Sequence, residues 1–258
     1  MLNVLELFSG TKSIGKVCDK LGWNSVSVDL ILPADHKCDI MDFDYKQYPK
    51  DYFDIIWGSP PCVTYSNLQS CWLGRKKKDG TVYTKEKMES DMIEADKLVL
   101  KTLEIINYFN CQYWFLENPA TGKLKNRDIM KDIPFYDVDY CMYSDWGYQK
   151  RTRIWTNKKD FNNKLCDKSG SCGNMINTQH KLNVSKDVHT IGESKKHKIR
   201  IDGCSKWVND NGKIINCSSV KLKEKYKDYP NIKQVDKETT KLDRYRIPEE
   251  LILSLFLD

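Results

Sequence analysis

The chain begins Met1-Leu2-Asn3-Val4-Leu5-Glu6-Leu7-Phe8-Ser9-Gly10-Thr11-Lys12-Ser13-Ile14-Gly15. Leu2–Phe8 is a short apolar run of the kind that forms a buried strand. It stops at Ser9-Gly10-Thr11. Ile14, Val17, Cys18 and Leu21 then recur at helical spacing, and Gly22 is a suitable stop. Between strand and helix, a glycine lets backbone approach a ligand, and the helix N-terminus offers free N–H groups. Ser25–Leu30 reads as the next strand. Its Asp29 falls about 20 residues after the glycine turn, where a carboxylate can bind ribose hydroxyls. The pattern predicts a nucleotide-type pocket, although the full dinucleotide fingerprint is absent.

Working outward, the same alternation continues. Tyr52–Trp57 reads as a strand ending in Gly58-Ser59-Pro60-Pro61-Cys62, and Tyr113–Leu116 as one running into Glu117-Asn118-Pro119. Between them, Lys85–Tyr108 places Met88, Met92, Ala95, Val99, Leu103 and Ile106 on one helical face. Phe135–Tyr140 and Arg153–Trp155 read as two further strands, close enough to pair as a hairpin. Alternating strands and helices predict an α/β fold with a parallel, doubly wound sheet, whose ligands bind at the carboxyl ends of the strands. The unusual residues sit at those ends.

Composition narrows the class. The chain has 258 residues, enough for one α/β domain and a small appendage. No apolar run approaches the roughly 18–20 residues of a helical membrane span. The first residues carry no basic region or cleavage site, so no secretory signal is expected, and a cytoplasmic or nuclear setting fits. The ten cysteines share no framework spacing and read as reduced thiols, metal ligands or a nucleophile rather than disulfides. Net charge is +6, unevenly spread. Residues 1–156 hold 21 Lys and Arg against 22 Asp and Glu, whereas residues 157–241 hold 19 against 10. A near-neutral engine is followed by a segment suited to a polyanion, or by lysine spread over an ordinary surface. The last residues regain helical character: Pro248 opens a helix with Leu251, Ile252, Leu255 and Phe256 on its apolar face.

Three stretches carry chemistry besides the glycine turn. Pro60 and Pro61 stiffen their turn and present Cys62 with little freedom, as a nucleophile requires; a buried structural cysteine is the bland alternative. Glu117 at the next strand end would face the same sheet edge, where a semi-buried carboxyl can donate a proton to a ring nitrogen. Gln149-Lys150-Arg151-Thr152-Arg153 puts alternate residues on one strand face, and its paired arginines suit a carbonyl oxygen, a phosphate or the glutamate. A weaker pattern, Cys166, Cys172 and His180 with Cys204 and Cys217 beyond, leaves open zinc as a staple for a loop-rich module or unconnected thiols and a surface histidine, since it lacks tight Cys-x2-Cys spacing.

In this order the set resembles the cytosine-5 DNA methyltransferase family, in the style of short viral or phage enzymes. The resemblance covers residues 1–156 and Arg244–Pro248. It implies a Rossmann-like S-adenosylmethionine-binding catalytic domain over 1–157, a target-recognition domain over 158–241, and a C-terminal helix over 242–258 that packs back on the first domain. Cofactor-binding residues would be Phe8, Ser9, Gly10, Thr11, Lys12, Ser13, Ile14, Asp29, Asp39, Ile40 and Pro60. Cys62 would be the nucleophile and Glu117 the acid, with Arg153 on the cytosine carbonyl and Arg151 supporting the pocket. Thr64–Tyr83 would close over a flipped base. Ser66, Arg75, Lys76, Lys77, Lys78, Asn118 and Gln149 would meet double-stranded DNA. The chain would act as a monomer without a membrane. It departs from the family at Pro119, where Val is commoner, and at Thr11-Lys12-Ser13, where relatives carry more glycine. The catalytic residues leave open an RNA (tRNA) cytosine-5 methyltransferase, or an inactive nucleic-acid-binding relative. An amino-methyltransferase is disfavoured, because Cys62 stands where those enzymes place an aromatic residue.

Overall fold

Val4, Leu5 and Leu7 have no solvent exposure, so the strand they form is covered on both faces. In the computed structural model this strand, β1 (Asn3–Leu7), runs parallel to β2 (Asn24–Val28) on one side and to β3 (Ile55–Gly58) on the other. The structure describes residues 1–76, 79–176, 179–180, 197–201, 204–208 and 245–257. β4 (Tyr113–Pro119) extends the parallel ladder beside β3. β6 (Arg151–Thr156) pairs antiparallel with β4, and β5 (Phe135–Asp139) antiparallel with β6. The sheet order is β2-β1-β3-β4-β6-β5. The expected hairpin therefore forms and makes the sheet mixed rather than wholly parallel.

Strand alternation sends Leu5 and Leu7 to one face, where they join Ile56 and Val28 against Ile105 and Ile106 of α2 (Lys85–Tyr108). Thr84 starts α2: its side chain accepts the Lys87 N–H, satisfying one of the donors left open at a helix start. Glu6 points to the other face, toward α1 (Ser13–Leu21). Gly22 ends α1 in the left-handed region at φ 68°, where its N–H closes back on Asp19 and Cys18. On that same face Phe256 of α3 (Glu249–Leu257) meets the rings of Trp23, Phe115 and Trp57 at 5.9, 5.8 and 6.4 Å. No helix among the described residues is long and apolar enough to cross a membrane.

The chain forms two compact units. One comprises Met1–Ser144, Lys150–Cys166 and Tyr245–Asp258; the other comprises Asp145–Gln149 and Asp167–Arg244. The first is wider than the segmentation expected from sequence, because residues 158–166 line the β5 edge. The Phe161 ring packs on Tyr136 at 5.3 Å, Asn163 Nδ2 donates to the Asp137 carbonyl, and Asp139 N donates to the Lys164 carbonyl. In the second unit β7 (Met175–Ile176) pairs with β8 (Gln179–His180), and β9 (His197–Ile201) with β10 (Cys204–Val208), both antiparallel.

Gly58 closes β3 against α2. A Cβ built there would lie 2.8 Å from Thr102 Cγ2. Gly58→Ala is expected to destabilise the chain by about 1–3 kcal/mol through overpacking, measured as a lower urea midpoint at unchanged slope.

Candidate active site

The turn after β3 is fixed from outside itself. Pro60 and Pro61 supply no N–H, so other groups hold their backbone. Trp57 Nε1 donates to Ser59 Oγ at 2.9 Å, and Asn118 Nδ2 donates to the Pro60 carbonyl at 2.9 Å. The second bond ties this turn to the end of β4, one residue past Glu117. The chain leaving Cys62 is anchored as firmly. Tyr65 is fully buried and its N–H bonds the Cys62 carbonyl, while its hydroxyl donates to Asp96 of α2 at 2.8 Å. Asp96 in turn accepts Arg127 Nε and Nη2 at 2.9 and 2.7 Å.

Cys62 is half-buried and lines a cavity of about 450 Å³ with Ser66, Trp72, Asn118, Pro119 and Gly122. Burial pushes its thiol pKa up, and the Glu117 charge adds to that; the Lys150 ammonium opposes both. Glu117 is buried. Its Oε1 accepts the Tyr140 hydroxyl at 3.2 Å and lies 3.5 Å from Lys150 Nζ. Asn118 Oδ1 is buried and has no hydrogen-bond partner among the described residues. Register places Asn118 opposite Arg153 and Glu117 opposite Ile154, so the two arginines and the glutamate occupy different faces. Arg151 pairs with Asp139 through Nε and Nη2 at 3.1 and 2.6 Å, and Arg153 with Asp137 at 2.7 and 2.9 Å.

The glycine turn after β1 is a strained loop. Phe8, Gly10 and Lys12 all have positive φ, at 58°, 51° and 54°. Asp29 explains how it holds. One carboxylate oxygen accepts the Gly10 N–H at 2.9 Å, and the other accepts those of Ile31 and Leu32 at 2.8 and 2.7 Å. Three donors on a group with about four acceptor positions leave one for a ligand hydroxyl. Ser9 Oγ is buried and unpartnered among the described residues, a polar atom ready for a bound group. Thr11 Oγ1 lies 3.1 Å from Ser13 Oγ, which also accepts the Ile247 N–H and so ties the chain's last segment to α1. Asp39 accepts the Met41 N–H beside buried Ile40. Beneath the loop, Glu6 accepts the N–H groups of Ile14 and Gly15, both at 3.1 Å. Burial raises its pKa to about 7, against the lowering pull of those two N–H groups.

The nucleic-acid candidates divide. Ser66 Oγ accepts the Leu68 N–H, the Arg75 guanidinium lies 5.5 Å from the Trp72 ring centre, and Lys76 bridges to Val82. Lys77 and Lys78 lie outside the described residues, and Gln149 belongs to the second unit. Of the metal candidates, Cys172 Sγ lies 3.7 Å from His180 Nε2 in the second unit, while Cys166 is buried in the first. The side chain of Cys204 and all of Cys217 are outside the described residues. All eight cysteines with described side chains are free thiols.

A relative from Frog virus 3 (isolate Goorha), a probable DNA (cytosine-5)-methyltransferase, is 40% identical over 177 residues, 67% of this chain and 79% of that one. The chain belongs to the DNA (cytosine-5)-methyltransferase family. No family model matches it. Among solved structures, it is similar to the Entamoeba histolytica methyltransferase EhMeth at 17% identity and a TM-score of 0.43, covering 64% of this chain and 56% of that one. It is similar to the S. pombe Dnmt2 methyltransferase at 12% identity and a TM-score of 0.37, covering 64% and 51%. The chain thus spans little more than half the length of either solved structure.

For this cytosine-5 methyltransferase family member, sequence reading passed over Lys150, Tyr140, Glu6 and the Tyr65–Asp96–Arg127 chain. Lys150 lay inside a quoted stretch, but period-two reading drew attention to the arginines beside it. Glu6 had a visible signal: a lone acid inside an apolar strand, just before a helix start.

Glu6 makes stability depend on pH. Its folded-state pKa of about 7 exceeds the ordinary 4.5, so the folded chain holds a proton that the unfolded chain releases. The group's stabilising contribution is complete below about pH 4.5 and is lost as pH rises through about 7. Glu6→Gln should flatten that slope by on the order of 1–3 kcal/mol, read from urea unfolding at about pH 5 and about pH 8.

Proposed function

We propose that the chain transfers a methyl group from S-adenosylmethionine to carbon 5 of cytosine in double-stranded DNA, with Cys62 as a transient covalent nucleophile. The observation that carries this is the Asn118–Pro60 bond, which sets Cys62 at a cavity beside buried Glu117. The name of the Frog virus 3 relative supports DNA over RNA as substrate. The loop from Phe8 to Ile14, with Asp29, Asp39, Ile40 and Pro60, would hold the cofactor; the unpartnered Ser9 Oγ and the spare acceptor position on Asp29 fit its polar groups. When bound, S-adenosylmethionine supplies an electrophilic methyl on a sulfonium.

Cytosine carbon 5 is a weak nucleophile. Addition of the Cys62 thiolate to carbon 6 makes it enamine-like. Glu117 gives a proton to ring nitrogen 3 and accepts from the exocyclic amine, neutralising charge pushed into the ring. Once carbon 5 carries the methyl group, a base takes the carbon-5 proton, and the freed electron pair restores the ring double bond and expels Cys62 as thiolate. Arg151 and Arg153 stiffen the β5–β6 edge through Asp139 and Asp137; a contact from Arg153 to the cytosine carbonyl requires it to leave Asp137. The base must leave the duplex to reach Cys62, at a cost of a few kcal/mol. Exposed Val63, Leu68 and Trp72 offer apolar surface beside that cavity. The loop holding them also carries Arg75 and Lys76 for phosphates.

The zinc reading keeps Cys172 and His180, which lie together in the second unit.

Cys62→Ala should abolish tritiated-methyl transfer to DNA while cofactor binding by calorimetry stays within about twofold. DNA containing 5-fluorocytosine should trap the wild-type chain as a denaturation-resistant adduct; its absence in active protein would refute the covalent route. Elemental analysis should find zinc in the wild type and none in Cys172→Ser.

A further inference from the structure

The proposed chemistry asks opposite things of two neighbouring groups. Cys62 must lose its proton, and Glu117 must carry one. Each is an anion when ionised, and the Glu117 charge resists formation of the thiolate. Among the described residues around them, Lys150 is placed to compensate whichever of the two is ionised. Its Nζ lies 3.5 Å from Glu117 Oε1, the oxygen that also accepts the Tyr140 hydroxyl. Its ammonium sits 4.7 Å from the Tyr140 ring centre, and its side chain is only 15% exposed. The neighbouring guanidiniums are committed elsewhere: Arg151 to Asp139, Arg153 to Asp137.

We infer that Lys150 is a positioning residue for methyl transfer, its ammonium serving as the counter-charge that Glu117 and Cys62 use in turn. The inference rests on the reading of this pocket given above. The charges balance at each stage. At rest the three groups are a neutral thiol, a carboxylate and an ammonium. When the proton leaves sulfur for the carboxylate, they become a thiolate, a neutral carboxyl and the same ammonium. Net charge is zero in both, so the exchange creates no unpaired charge in a low-dielectric site. When sulfur bonds to carbon 6, the displaced electron pair moves toward ring nitrogen 3, which takes the proton from Glu117. Glu117 is again a carboxylate beside Lys150. Lys150 keeps its own proton throughout and acts as neither acid nor base.

Among the described residues, the charged and titratable groups facing this centre include Glu117 from β4, Tyr140 from the turn after β5, Lys150 ahead of β6, and Cys62 itself. The test is the pH dependence of Cys62 alkylation by iodoacetamide in the full chain, read by mass spectrometry of the Cys62 peptide. Lys150→Met should raise the alkylation midpoint by about one pH unit, a tenfold loss of thiolate at a given pH. The kcat for DNA methylation should fall about tenfold, with the KM for S-adenosylmethionine within about twofold. Lys150→Arg retains the charge and should restore most of both. An unchanged midpoint in Lys150→Met, or a shift that Lys150→Arg does not reverse, overturns the inference. Alkylation needs neither DNA nor cofactor. A Lys150-dependent midpoint in a wild-type chain that methylates no DNA would therefore uphold the electrostatic coupling and sink the methyl-transfer reading.

Discussion

Two consecutive prolines give a turn its stiffness and take away its means of holding itself in place. Without N–H groups at Pro60 and Pro61, the backbone ahead of Cys62 cannot close hydrogen bonds of its own. Asn118 supplies the missing constraint, donating to the Pro60 carbonyl from the next strand of the sheet. Because β3 and β4 are parallel and adjacent, their carboxyl ends emerge side by side, and one side-chain bond fixes the Cys62 turn relative to Glu117. The Tyr65–Asp96–Arg127 chain fixes the other side of the turn against α2. Cys62 is thus held from before and after, although Val63 beside it and the loop past Ser66 are exposed.

That arrangement explains which parts could be read from sequence. Strand, glycine turn and helix at residues 3–21 follow from local rules, and Lys85–Tyr108 emerges with its expected bounds because Thr84 caps one end. Strand ends were less legible, since tertiary pairing sets them. β2 stops at Val28, where the Asp29 carboxylate turns to accept the Gly10 N–H of the loop after β1 and the Ile31 and Leu32 N–H groups of its own following turn. β4 runs on through Pro119 because β6 pairs with it there. A proline at a strand end loses no bond that the ladder needs.

Other features depend on register, which a single sequence does not specify. The Gln149–Arg153 stretch contains three cations, and residue type alone favours the arginines. Only the pairing of β6 with β4 and β5 sends both arginines to aspartates and leaves Lys150 beside Glu117. Residues 158–166 form no strand or helix, in keeping with their Lys- and Asn-rich composition, but Phe161 and three backbone or amide hydrogen bonds fasten them along β5. Covering a sheet edge is a task for backbone groups, and backbone groups leave no trace in composition.

The two halves of the site handle buried charge differently, and the contrast gives each acid its role. Glu6 is buried beneath two N–H groups at a helix start, and burial still dominates, bringing its pKa to about 7. Hydrogen bonds to neutral donors hold it in place without fully offsetting desolvation, which suits a group whose task is to shape a loop. Glu117 lies beside an ammonium and a phenol. A full counter-charge meets the charge of such a carboxylate directly, where neutral donors meet it only in part. The difference between these environments, rather than the presence of two buried glutamates, separates the acid that braces the loop after β1 from the acid paired with a cation beside Cys62.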